Sequence, residues 1–195
     1  MNENFLGTKL NILYLGSHSR LCTFLEIDMD NTITRTESPF PIYGKYDCII
    51  SYGYRHKIPL SAINDVKGNA INLHISYLPY NRGANPNYWS WHDNTPKGVT
   101  IHYVDEGFDT GDIIVQKLVL FSPQEYTLKT TYDRLKMEIE DLFICNWWML
   151  FQLPRKVQTG VFTCHTTKDR ILLTNGWDTR CDSIEQEVFG WDEIE

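Results

Sequence analysis

Cysteine is scarce in this chain, with five in 195 residues and no pair in C-x-x-C spacing. Cys22, Cys48, Cys145, Cys164 and Cys181 are odd in number and widely separated, which argues against a disulfide framework and against a structural zinc site. The six histidines offer no convincing metal-ligand spacing either, so no metal is expected. Long hydrophobic runs are also missing. Nothing approaches the ~18 consecutive apolar residues of a membrane span, and residues 1–9 lack the apolar core of a signal peptide. Basic charge is in deficit: 18 Lys+Arg face 25 Asp+Glu, a net charge of −7. Gripping a phosphate backbone needs clustered Lys and Arg, so nucleic acid is a poor candidate partner. These absences leave a cytoplasmic domain with reduced thiols and no repeats.

What is present is apolar and aromatic. The composition is 42% hydrophobic and 13% aromatic, enough for one well-buried core. Short apolar runs ending in turn residues predict strands at residues 10–15, 47–52, 70–75, 98–104 and 112–120. Residues 28–45 are polar, hold Pro39 and Pro41, and read as short strands and loop. A helix is expected after Pro86. One long helix begins at Thr127, with Tyr132, Leu135, Ile139, Leu142, Phe143 and Leu150 at helical spacing, and ends at Pro154. Trp147, Trp148, Met149 and Phe151 make its last turns apolar on nearly every side, and a homodimer contact there is one reading. After Gly160 the pattern predicts a hairpin of residues 161–164 with 171–174, then an end with six acidic and no basic residues from Cys181 onward. Strands alternating with helical segments point to an α/β fold. Residues 1–157 are expected to form the catalytic unit and 158–195 a small hairpin and tail.

The chemistry concentrates between Ile71 and Ile114. In Asn72-Leu73-His74, side chains at i and i+2 share a strand face, so an amide and an imidazole aim together at a strand's C-terminal end. Such a pair can polarise a carbonyl and hold a developing oxyanion. The stretch from Asp105 to Asp112 follows a strand and carries two glycines, so it is a turn; its spacing excludes an EF-hand. His102, on the strand between them, reads as structural.

Asn72-Leu73-His74, Ser76-Tyr77-Leu78-Pro79, Arg82-Gly83, Gly98-Val99-Thr100 and Asp109-Thr110-Gly111-Asp112 form an ordered series over about 40 residues. That series resembles the 10-formyltetrahydrofolate-dependent formyltransferases. The resemblance implies a Rossmann-like, mostly parallel sheet with a shortened N-terminal lobe, since only residues 16–46 separate the first two strong strands. It implies catalytic roles for Asn72, His74 and Asp109. It implies a folate pocket built from Tyr54, Arg55, His56 and Lys57, from Ser76, Tyr77, Leu78 and Pro79, and from Asp105, Glu106 and Gly107. The formyl donor implied is 10-formyltetrahydrofolate. The chain is most similar to the short sugar-nucleotide N-formyltransferases, through residues 51–55, residues 78–86 with Trp89, and Gly176-Trp177-Asp178. The implied acceptor is the amine of a UDP- or dTDP-linked amino sugar used for surface polysaccharide. Arg82, Tyr88 and Trp89 are the implied acceptor contacts. An aminoacyl acceptor on a carrier protein or tRNA is the alternative, and a non-catalytic folate-binding module is a third; little chain remains after the long helix for a large tRNA-binding domain.

Overall fold

The structure, a computed structural model, describes residues 8–124, 126–169, 173 and 175–188. In chain order the elements are β1 (Asn11–Leu15), α1 (Ser19–Thr23) running into a π turn (Phe24–Asp28), β2 (Thr32–Thr36), β3 (Cys48–Tyr52), α2 (Leu60–Asp65) and β4 (Ala70–His74). Then follow β5 (Arg82–Gly83), α3 (Pro86–His92), β6 (Gly98–Tyr103), β7 (Ile113–Leu118), α4 (Leu128–Asn146), a 3-10 turn (Trp147–Gln152), β8 (Cys164–His165), a second 3-10 turn (Gly176–Asp178) and α5 (Cys181–Val188).

Six strands make one sheet in the order β2-β1-β3-β4-β6-β7. β1 pairs in parallel with β2 and β3, and β3 with β4; β6 then runs antiparallel to both β4 and β7. The sheet is therefore mostly parallel, as expected, and the change of direction falls beside the strand that carries Asn72 and His74. β2 is a short, largely exposed edge strand of Thr and Arg residues, a composition that blunts an open edge.

Alternation along the central strands feeds two cores. Ile12 and Tyr14, Cys48, Ile50 and Tyr52, Ile71 and Leu73 point to the face covered by α1 and α4. Leu13, Leu15, Ile49 and Ala70 point to the opposite face, where Ile58, Ile63 and Val66 cover them. Burial on both faces explains why these strands read as nearly continuous apolar runs. α4 begins with a capping box: the Thr130 amide donates to the Thr127 hydroxyl at 3.3 Å, and the Thr127 amide donates to the Thr130 hydroxyl at 2.9 Å. Its buried stripe includes Leu135, Ile139 and Phe143, all at or below 1% exposure.

Three expectations change. The long helix stops at Asn146, and residues 147–152 tighten into a 3-10 turn. Trp147, Leu150 and Phe151 pack into the main core while Trp148 and Met149 stay half exposed, so that turn is apolar inward and open on one side only. Part of the first arm of the expected hairpin, Cys164–His165, lies parallel to Arg82–Gly83, a pairing the sequence pattern did not suggest. Residues 171, 172 and 174 of the expected second arm lie outside the described residues. Among the described residues no helix is long and apolar enough to cross a membrane, and no disulfide joins the five cysteines. Phe143→Ala should cost about 3–5 kcal/mol of stability, because Phe143 is fully enclosed at the sheet–α4 interface. Urea unfolding measures this, and a loss near zero would mean that α4 is not packed as described.

Candidate active site

Asn72 and His74 sit at the C-terminal end of β4, on one face. Antiparallel pairing places His102 of β6 directly opposite Asn72, and Thr100 opposite His74. The loop after β6 then brings Asp109 back over these strand ends. Two backbone features let it do so. Asp109 adopts a left-handed φ of 54°. At Gly111 a Cβ would lie 1.9 Å from the Tyr103 carbonyl oxygen, so only glycine permits the close return of the chain.

Four polar groups surround the Asp109 carboxylate. Oδ1 accepts from Asn72 Nδ2 at 2.9 Å and lies 3.2 Å from His102 Nε2. Oδ2 accepts from the Gly83 amide at 2.8 Å and lies 3.6 Å from His74 Nδ1. His74 Nε2 is 2.9 Å from the Asn81 carbonyl, which can only accept. A carbonyl at one ring nitrogen and a carboxylate at the other are satisfied together by the imidazolium form. His102 Nδ1 is 2.7 Å from the Tyr103 carbonyl and so carries a proton, which turns Nε2 toward Asp109 and toward Asn72 Nδ2 at 3.3 Å.

Burial alone would raise the Asp109 carboxyl. The charge of His74, the hydrogen bond and charge of His102 and the Gly83 amide outweigh it and hold the group well below the usual carboxylate range. Asp109 is thus an anion at any working pH. His18, which lines the same cleft and tilts against Tyr52 with ring centroids 4.1 Å apart, is pushed down to about 4 by burial and by Lys136 and Arg35.

The cleft in front of this cluster holds about 1000 Å³. Its lining includes Tyr54, Arg55, His56, Lys57 and Ile58, then Val104, Asp105, Gly107 and Phe108, and also Pro86, Tyr88, Leu128, Tyr132, Thr166 and Trp177. Most of the residues singled out from sequence therefore meet at one opening. Some do not. Ser76 to Pro79 lie behind it as a brace: Thr100 Oγ1 donates to the Ser76 carbonyl at 2.7 Å and accepts from the Leu78 amide at 3.1 Å. Glu106 is exposed but does not line the cleft. Arg82 turns away, donating to Gln158 Oε1 from Nε at 3.0 Å and from Nη2 at 2.8 Å. Trp89 is buried and stacked on His165 with centroids 3.9 Å apart. Two participants went unread. His102 was expected to be structural, although the Thr100/His102 alternation on one strand face was a usable signal; Gln158 had no local signal at all. Among the described residues no group of three side chains is placed to hold a metal ion.

Comparison with known proteins adds a family. A profile described as formyl transferase matches residues 43–145. The methionyl-tRNA formyltransferase of Desulforamulus reducens is 28% identical over 152 residues, covering 75% of this chain and 47% of that protein. The dTDP-4-amino-4,6-dideoxyglucose formyltransferase of Mycobacterium tuberculosis is 37% identical over 76 residues, covering 39% of this chain and 32% of that one. The chain thus spans about half the length, or less, of these curated relatives. Among solved structures, the formyltransferase PseJ from Anoxybacillus kamchatkensis, in complex with UDP-4,6-dideoxy-4-formamido-L-AltNAc and tetrahydrofolate, is 40% identical with a TM-score of 0.84, covering 91% of this chain and 98% of that one. A sugar N-formyltransferase from a Shewanella species shares the fold at 20% identity and a TM-score of 0.72, covering 90% of this chain and 86% of that one.

The lowered pKa of Asp109 makes stability depend on pH. Its native value lies below its unfolded value, so its contribution is present above the unfolded value and is lost as pH falls through the native one. Wild-type protein should lose stability relative to Asp109→Asn from about pH 5 downward. Urea unfolding across that range gives the two slopes, and parallel slopes would mean that the carboxylate is not held as described.

Proposed function

This chain belongs to the formyl transferase family, and from that premise we propose that it moves a formyl group from 10-formyltetrahydrofolate to the amine of a nucleotide-linked amino sugar. The observation that carries the reading is the convergence of Asn72, His74 and His102 on one ionised Asp109 at the floor of a cleft large enough for two ligands. The likeness to PseJ, which covers nearly all of both chains and whose structure contains a UDP-linked 4-formamido sugar with tetrahydrofolate, favours a UDP-linked 4-amino sugar as acceptor.

The walls fit these ligands. Ile58 and Val104 offer apolar surface for a flat ring system, and the exposed Arg55 and Lys57 beside them suit an anionic tail. Tyr88, Tyr132 and Trp177 in the same lining offer aromatic surface to the nucleotide sugar. When bound, the donor supplies an activated formyl carbon. The chain then has three tasks. Asn72 donates a hydrogen bond to the formyl oxygen as negative charge develops there, giving up its longer contact of 3.3 Å with His102. His74, when protonated, places a positive charge beside that oxygen; a direct hydrogen bond requires Nε2 to leave the Asn81 carbonyl. One proton leaves the attacking amine and one reaches the departing folate nitrogen, so the transfer is proton-neutral. Asp109 is the carboxylate through which that proton passes, directly or by way of a water; the neighbours that hold it ionised also make it a weak base, so the proton rests there only in passing before it reaches the folate nitrogen.

The absence of disulfides is consistent with a reducing compartment, and the cytoplasm is the proposed place of action, in surface polysaccharide synthesis. The half-exposed Trp148 and Met149 are the face through which a homodimer would form. An aminoacyl acceptor stays as the second reading because the methionyl-tRNA formyltransferases share 28% to 38% identity with this chain.

The test is incubation with 10-formyltetrahydrofolate and UDP- and dTDP-linked 4-amino sugars, with methionyl-tRNA as the comparison, read by mass spectrometry. A product heavier by one carbonyl group is expected on the UDP-linked amine. Product on the tRNA alone would replace the acceptor proposed here. His74→Ala and Asp109→Asn should each lower turnover by at least about 10²-fold while the far-UV spectrum stays native, and near-normal turnover in either variant would remove that residue from the catalytic set.

A further inference from the structure

Gln158 lies beyond α4 and its 3-10 turn, half-buried and outside the cleft lining. Every hydrogen-bonding group of its side chain is engaged. Nε2 donates to the backbone carbonyl of Asp109 at 2.9 Å and to that of Gly111 at 2.7 Å. Oε1 accepts both Arg82 bonds, from Nε and Nη2. The two carbonyls can only accept and the guanidinium can only donate, so the amide has one admissible orientation. Arg82 is further held by its guanidinium lying 4.7 Å from the centre of the Phe162 ring. The residue after Arg82 is Gly83, whose amide donates to Asp109 Oδ2.

One amide therefore joins the backbone of the loop that carries Asp109 to the segment that caps the Asp109 carboxylate. The same stretch reaches His74 from the other side. Thr163 Oγ1 donates to Asn81 Oδ1 at 2.8 Å, and the Asn81 carbonyl is the partner of His74 Nε2. Asp109 has a left-handed φ, which a non-glycine residue keeps only when its surroundings fix it. Gln158 supplies the bond at that residue's own carbonyl.

We propose that Gln158 is a positioning residue for formyl transfer: it clamps the Asp109 loop to the Arg82–Gly83 segment, so that the carboxylate meets His74 and Asn72 at working distance. This rests on the catalytic reading above. Nothing in it requires Gln158 to touch a substrate.

Two variants separate the clamp from simple packing. Gln158→Leu removes all four bonds. Gln158→Glu keeps the acceptor for Arg82, loses the donors to the two carbonyls and sets a carboxylate oxygen against them. Both should lower kcat about 10- to 100-fold, as small displacements of catalytic groups do, with KM for donor and amino sugar within about threefold of wild type, the scale expected when ground-state binding is retained. Amide hydrogen exchange in the free protein supplies a readout that does not depend on the acceptor. The Gly83 amide should exchange at least about tenfold faster in both variants, while the Ile49 amide, bonded to the Asn69 carbonyl in the core, stays as in wild type. Wild-type kcat in either variant overturns the proposal, as does unchanged Gly83 exchange, or Ile49 exchange that accelerates in step with Gly83. If wild-type protein transfers no formyl group to any amine, the functional reading fails by itself, and Gly83 exchange alone decides whether the clamp exists.

Discussion

The site depends on one buried negative charge. Asp109 gathers two imidazoles, a carboxamide and a backbone amide around two oxygens, and those partners come from three strands, β4, β5 and β6. A buried carboxylate is costly unless paired and hydrogen-bonded. Here the pairing is what fixes the imidazole and amide geometry, so the group that needs compensation also organises the groups that compensate it. An apolar residue at position 109 would leave His74 and His102, with ring centroids 6.3 Å apart, without the carboxylate that both approach.

The fold exists in the form it does to bring those partners together. Parallel β1, β3 and β4 carry the chain's apolar runs and end at a common edge, where Asn72 and His74 project. The reversal to antiparallel β6 brings His102 alongside at no extra chain length. The tight return at Gly111 and the left-handed Asp109 then close the loop over the strand ends. The segment after α4 completes the arrangement from outside the sheet. It lies against β5 in a two-residue parallel ladder and sends Gln158 and Thr163 to the two loops that flank the carboxylate.

The strands and the long helix were legible because their signals are local. Apolar runs, a Thr127 cap and a stripe at helical spacing mark elements without knowledge of their neighbours. Asn72, His74 and Asp109 were legible through an ordered series of short motifs. His102 was not, because its role comes from a strand pairing, and sequence does not say which strand lies next to which. Gln158 was invisible for a stronger form of the same reason: its partners are the carbonyls of residues 109 and 111, which have no side-chain identity to read. The pairing of Cys164 with Arg82 was hidden likewise, because it joins two short stretches 82 residues apart. Arg82 and Trp89 look like ligand contacts in a motif; a glutamine and a histidine from that same distant segment engage them instead.

Neighbouring groups hold Asp109 as an anion, and a carbon-13 NMR titration of the aspartate carboxyls, with Asp109 assigned by its Asn variant, tests this. The Asp109 signal should still show the ionised shift at about pH 3, where ordinary aspartates are already mostly protonated. A signal that titrates with the ordinary aspartates, near pH 4, would contradict it.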